Sequence, residues 1–210
     1  MNSQTEKLRI QGAAGAIEVL RDRAADGTPA LGVAVIAHPH PLFGGTMDNK
    51  VVQTLARAFV GCGWTAVRFN FRGVGASEGV HDEGRGECED MREVVAQLAP
   101  EGPLAIAGFS FGAFVASCTI DRLWAAREIR QVVLVGTAAS RFAVASLPPA
   151  AHERALVVHG EQDDTVPLAA VMDWARPQSL PVTVVPGGGH FFHGQLPLLK
   201  NLVVRHLRAG

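Results

Sequence analysis

Residues 104–112 read Leu-Ala-Ile-Ala-Gly-Phe-Ser-Phe-Gly. The first six are apolar or glycine, so Leu104 to Phe109 is expected to be a strand covered on both faces. The stretch closes on Gly108-Phe109-Ser110-Phe111-Gly112, a G-x-S-x-G. From Phe111 to Arg127 the residues are mostly small and apolar, and they read as a helix. A G-x-S-x-G between a strand and a helix is the setting of a nucleophile elbow, which holds a serine at the apex of a sharp turn. Side chains two residues to either side would collide with such a turn, hence the glycines. The helix that follows favours negative charge developing near its N-terminus. The simpler alternative is a helix entry with Ser110 as its N-cap.

Outward from this stretch, apolar runs alternate with helical stripes. Leu31 to Ala37 is a near-continuous apolar run, expected as a buried strand. Lys50 to Val60 carries Val51, Val52, Leu55, Ala58 and Phe59 at helical spacing, stopped by Gly61 and Gly63. Trp64 to Phe71 is β-branched and aromatic, a strand. Glu87 to Ala99 carries Met91, Val94, Val95 and Leu98, a helix ended by Pro100 and Gly102. Further on, Val132–Val135, Ala155–Val158 and Val182–Val185 read as strands, and Pro167–Ala175 and Leu198–Leu207 as helices. Near the start, Arg9–Gln11 and Ala16–Leu20 flank Gly12 and Gly15 as an antiparallel hairpin. Alternation from residue 31 onward implies an α/β fold: a mostly parallel sheet with helices on both faces. No repeat or linker divides the chain, so residues 1–210 are expected to form one domain.

Composition limits the function classes. The chain has 210 residues, enough to bury roughly 70% of its unfolded surface. Hydrophobic residues make up 48% and charged ones 19%, which excludes a disordered chain. Nineteen Lys and Arg face 20 Asp and Glu, so no basic stripe is expected for nucleic acid or an anionic membrane. Cys62, Cys88 and Cys118 are far apart with no CxxC, against a disulfide framework and for a reducing compartment. Charges run through residues 1–30, leaving no apolar leader segment. The uncharged stretches Leu31–Met47 and Gly102–Ile120 are broken by prolines or glycines and read as strands entering turns. A cytoplasmic location follows as the expectation.

In open α/β sheets, ligands bind at the carboxyl ends of the strands. A serine hydroxyl there is a weak nucleophile until a base takes its proton, and in this arrangement the order is Ser, acid, His. After Ala155–Val158 come Glu161, Asp163 and Asp164, with Glu153 before the strand. After Val182–Val185, His190 follows three glycines on a loop able to reach across the strand ends. His193 is the rival base, expected at the start of the last helix. An acyl-transfer site also needs N–H donors for an oxyanion. Phe111 supplies one, and the loop His38-Pro39-His40-Pro41-Leu42-Phe43 supplies the other. Proline has no N–H, so His40 is chosen over Leu42 and Phe43.

His38, His40, His190 and His193 could share a metal, but there is no HExxH and no adjacent Cys. A serine site accounts for His190 without one, so neither metal nor cofactor is expected. The glycine-rich Arg72–Ser77 matches no nucleotide fingerprint and reads as a tight loop, with Arg72 either paired to an acid or facing the pocket. Asp82, Glu83, Glu87, Glu89 and Asp90 read as a solvated loop feeding a helix start. Cys118 is expected in the core. Phe43, Phe109, Phe111, Phe191 and Phe192 are candidates for an apolar acyl pocket, with core packing equally open to Phe109.

Taken together these motifs resemble the α/β-hydrolase superfamily. GFSFG (108–112) resembles its elbow, and HPHPLFGGTMDNK (38–50) the oxyanion loop and following helix of small, lidless bacterial serine esterase-like hydrolases. FNFRGVGASEG (69–79), HGEQDDTVP (159–167) and GGGHFFHG (187–194) are similar to the loops that follow. The resemblance implies Asp163 as the acid, three residues after Gly160 and four before Pro167. It implies His190 as the base, leaving His193 structural or at the rim and Asp164 solvated or capping the next helix. Residues 138–154 are too few for a cap domain, so an open pocket for short or flexible acyl groups is expected. The implied activity is hydrolysis of small carboxylic esters through an acyl-enzyme, by a monomer or small homo-oligomer. Thioesterase, acyltransferase or peptidase action remains open, as does a non-catalytic binding module, since fold alone does not fix activity.

Overall fold

The computed structural model describes residues 5–23 and 30–209. The leader reading of residues 1–30 therefore falls partly outside the described residues, as does a domain reading of 1–210. The strands are β1 (Thr5–Gly12), β2 (Gly15–Asp22), β3 (Val33–Ala37), β4 (Thr65–Phe69), β5 (Leu104–Phe109), β6 (Ile129–Val135), β7 (Ala155–Gly160) and β8 (Val182–Val185). The helices are α1 (Lys50–Gly61), α2 (Arg85–Leu98), α3 (Phe111–Leu123), α4 (Leu168–Ala175) and α5 (Leu196–Ala209). The sheet order is β1-β2-β4-β3-β5-β6-β7-β8. β1 and β2 join antiparallel, and every pairing from β4 through β8 is parallel. This is the expected mostly parallel α/β sheet.

The two faces of the sheet carry separate cores. On one, Val35, Ile106 and Leu134 pack with residues of α2, α3 and α4, such as Met91, Val115 and Val171. On the other, Ile36, Ala107 and Val135 pack with Leu55 and Phe59 of α1 and Leu199 and Val203 of α5. Each fully buried Leu or Phe of this kind contributes about 1.5–3 kcal/mol. Asn49 starts α1 by accepting a hydrogen bond from Val51 N–H at 2.9 Å.

Element ends shift by up to four residues from the sequence reading, and one crossover differs in kind. α3 ends at Leu123 rather than Arg127, where the N–H groups of Ala126 and Arg127 turn back to the Leu123 carbonyl. The β6–β7 crossover contains no α-helix, so the strand–helix alternation lapses there. Residues 138–154 follow an irregular path ending in a 3₁₀ turn over Pro149–Arg154. No helix among the described residues is long and apolar enough to cross a membrane.

The acidic segment is not uniformly solvated, which corrects its reading. Glu87 and Asp90 are buried. Asp90 holds Arg72 through two side-chain contacts at 2.8 and 3.0 Å and accepts from Arg72 N–H at 3.1 Å. Arg72 thus pairs with an acid rather than facing the pocket. Glu87 accepts from the N–H groups of Gly84 at 2.7 Å and Asp82 at 2.9 Å, and lies 2.8 Å from His81 Nδ1. All three cysteines are free. Cys118 on α3 is partly buried and packs against the core cluster, as expected.

Candidate active site

β5 ends where the sheet's parallel strands present their carboxyl ends, and Ser110 follows at once. Its φ of 57° and ψ of −117° lie in a region that side-chain-bearing residues rarely occupy. Ser110 stands at the N-cap position of α3 but makes no capping bond, which removes the helix-entry alternative. Its hydroxyl instead donates to His190 Nε2 at 2.9 Å. The flanking glycines have different causes. A Cβ on Gly108 would lie 2.2 Å from Gly112 O, inside the turn itself, whereas one on Gly112 would lie 2.4 Å from Ala37 O on the neighbouring strand.

The acid and histidine loops are locked backbone to backbone. Gln162 N–H donates to Gly188 O at 2.8 Å, and Glu161 N–H to Val185 O at 3.0 Å. This brings His190 Nδ1 to 2.7 Å from Asp163 Oδ2. The other oxygen, Oδ1, accepts from Thr165 N–H at 2.9 Å and Val166 N–H at 2.7 Å. Burial alone would raise the Asp163 carboxyl, but the bonds from His190 and Val166 hold it below its ordinary value. The ionised acid therefore fixes His190 with Nδ1 protonated and Nε2 free to accept from Ser110. Phe109 packs against the His190 ring from behind, centroids 5.0 Å apart.

The structure thus brings Ser110, His190 and Asp163 into one hydrogen-bonded line, all three buried. Asp164 is exposed, and the helix it was to cap begins with Pro167 at its N-cap. His193 is exposed and lies in the loop before α5, not on the helix. Sequence reasoning missed His159, whose Nε2 lies 3.4 Å from Asp163 Oδ2 while donating to Val166 O at 2.9 Å. Burial pushes its imidazole down, so it stands neutral beside the acid.

His40 and Phe111 both border the cavity above Ser110. The alternative donors in the His40 loop are already engaged. Leu42 N–H donates to His40 Nδ1 at 3.2 Å, and Phe43 N–H to His40 O at 3.2 Å. Among the described residues, neither His40 N–H nor Phe111 N–H has a hydrogen-bond partner. His38 is turned away from the cavity, its ring nitrogens engaged by Pro39 O and Phe71 N–H. Among the described residues, no three His, Cys, Asp or Glu side chains are grouped to hold a metal ion.

The cavity has a volume of about 350 Å³ and opens directly to solvent, with Ser110 and His190 at its base. Of the expected aromatics, Phe43, Phe111 and Phe191 line it. Phe109 and Phe192 do not, because both are fully buried in the core behind the site. One wall was not foreseen. Phe142, from the irregular 138–154 crossover, stacks on Phe114 with centroids 4.8 Å apart and meets the Phe111 ring at 5.1 Å. Its neighbour Arg141 borders the cavity as well. No sequence period marked either residue.

Comparison with known proteins agrees with this fold. Residues 35–152 match the family described as Serine aminopeptidase, S33. A Xanthomonas campestris protein, XC6422, described as an α/β serine hydrolase without lid, is 34% identical. That match covers 100% of this chain and 96% of that one, with a TM-score of 0.87. An α/β serine hydrolase homologue from Coxiella burnetii is 39% identical, covering 96% of this chain and 97% of that one, with a TM-score of 0.81. The uncharacterized protein RP471 of Rickettsia prowazekii (strain Madrid E) is 42% identical over 99 residues, 45% of this chain. The match spans 42% of that curated relative, less than half its length.

Proposed function

The chain belongs to the α/β-hydrolase superfamily, among its serine hydrolases without a lid, and from that premise we propose that it hydrolyses small carboxylic esters through an acyl-enzyme. In this reading Ser110 Oγ attacks the acyl carbon while its proton passes to His190 Nε2. The carbonyl electron pair moves onto oxygen, and the oxyanion accepts from the N–H groups of Phe111 and His40. Collapse expels the alcohol, which takes the proton from His190. Water then attacks the acyl-enzyme, again deprotonated by His190, and the carboxylic acid leaves as Ser110 is restored. Asp163 accepts from Nδ1–H throughout and stabilises the imidazolium.

The observation that carries this reading is the unbroken hydrogen-bonded line from Asp163 through His190 to Ser110 at the base of an open cavity. Peptidase action is the second reading, prompted by the family description. An aminopeptidase must seat a substrate ammonium group. Among the described residues lining the cavity none is a carboxylate, and the charged one is Arg141, which favours the ester reading. The test is a panel of p-nitrophenyl esters of rising chain length beside aminoacyl-p-nitroanilides. The reading predicts ester turnover that Ser110→Ala abolishes. Turnover of the anilides alone would assign a peptidase instead.

A further inference from the structure

Arg141 is the charged residue on the cavity's lining, and its side chain is exposed. Some surface arginines, such as Arg85, Arg92 and Arg176, are paired with acids at 3.0 Å or less, whereas others, such as Arg205 and Arg208, have no ion pair among the described residues; Arg141 differs from these in lining the cavity. Arg141 has no ion pair among the described residues, so its guanidinium is free to receive a ligand.

Its backbone is well placed for that. The N–H groups of Arg141 and Phe142 both donate to Ala138 O at 3.1 Å, which fixes the turn carrying the two side chains. Phe142 is held against Phe114 and Phe111, so the cation sits beside a rigid apolar wall. Burial holds the His40 imidazole below its ordinary value, with the Arg141 charge acting in the same sense and Glu87 in the opposite one. Arg141 and His40 line the same cavity. A guanidinium on a cavity lined mainly by apolar residues is a usual means of orienting a carboxylate, to which it can make two parallel hydrogen bonds.

We propose that the esters this site takes carry a carboxylate or comparable anionic group, received by Arg141 at the cavity mouth, with the Phe111–Phe142 wall holding the carbon between that group and the ester. The inference rests on the ester-hydrolase reading and adds the chemistry of the substrate to it.

Two matched ester pairs test it. In p-nitrophenyl hydrogen glutarate and p-nitrophenyl valerate the charge is in the acyl half. In 4-(butyryloxy)benzoate and 4-methylphenyl butyrate it is in the leaving group. For each pair, the ratio of kcat/KM for the charged member over the uncharged one is measured in wild type, Arg141→Gln, Arg141→Glu and Arg141→Lys. The expected result is a fall in the ratio of about fivefold or more in Arg141→Gln for at least one pair. The fall is larger in Arg141→Glu, and the ratio is mostly retained in Arg141→Lys. The affected pair identifies which half of the substrate the arginine reads. Turnover with ratios unchanged in both pairs would overturn this inference and leave the ester reading standing. Absence of turnover of all four esters by folded wild type would overturn both.

Discussion

Phe71 N–H donates to His38 Nε2 at 3.0 Å, and the ring's other nitrogen, Nδ1, lies 2.6 Å from Pro39 O. This pair ties the loop carrying His40 to the chain just past β4. It also fixes His38 as a neutral imidazole with the proton on Nδ1. Burial pushes His38 from 6.5 down to about 4. The unfolded chain takes up this proton below 6.5 and the folded chain only near 4. Stability is therefore full above 6.5 and is lost as pH falls toward 4, by about 3 kcal/mol from this group. His159 and His206, also pushed down by burial, add in the same direction. Urea unfolding at intervals between pH 7 and 4 should show the slope, reduced in His38→Gln. An unchanged slope in that variant would remove His38 from the account.

A methyl group at Gly112 would meet the Ala37 and His38 carbonyl oxygens at 2.4 and 2.5 Å, and neither is free to move. Gly112→Ala is expected to cost about 1–3 kcal/mol. It should also push the start of α3 away from β3, spreading the Phe111 and His40 N–H groups. A misplacement of this kind can lower kcat about a hundredfold. Denaturation and steady-state kinetics on the same preparation separate the two effects. Full activity in Gly112→Ala would mean that the close approach does not set the oxyanion geometry.

Asp163 and Asp164 are adjacent but not equivalent. Asp163→Asn removes the acceptor that fixes the His190 tautomer, and kcat should drop by about 10³–10⁴. Asp164→Asn alters an exposed side chain and should change activity by no more than about twofold. Esterase assays on both variants decide between them, and a reversed pattern would move the acid to Asp164.

Glu87 is the sole side-chain acceptor shown for two backbone N–H groups, those of Asp82 and Gly84, among the described residues. Truncation in Glu87→Ala strands both donors and should destabilise the protein by about 2 kcal/mol or more. Glu87→Gln keeps one acceptor oxygen and should cost less. Its partner His81 packs against His40, ring centroids 4.8 Å apart, so Glu87→Ala should also raise KM. Equal stability of the two variants would show that the acid does not hold this loop.

The parts legible in the sequence are those with a period or a steric requirement. β5 and β8 have the boundaries that their apolar runs mark, and the Ser110 turn needs glycine at 108 and 112. Loops in a parallel sheet converge at the strand ends whatever their length, which is why Ser110, His190 and the acid loop of Glu161, Asp163 and Asp164 could be named together, while the choice of Asp163 among the three came from the family resemblance. Burial of Glu87 and Asp90 was not legible, because it depends on partners six to eighteen residues away, His81 and Arg72. The wall made by Phe142 and Arg141 was invisible for another reason. It belongs to an irregular crossover, where no periodicity links residue type to direction.

The central claim, that Ser110 is activated by His190, is tested most directly by intact mass after incubation with a fluorophosphonate. The account predicts a single adduct on wild type, lost in Ser110→Ala and in His190→Ala. No adduct on folded wild type would contradict it and leave a binding module on a hydrolase fold. An adduct that survives His190→Ala but disappears in His193→Ala would keep the nucleophile and assign the base to His193.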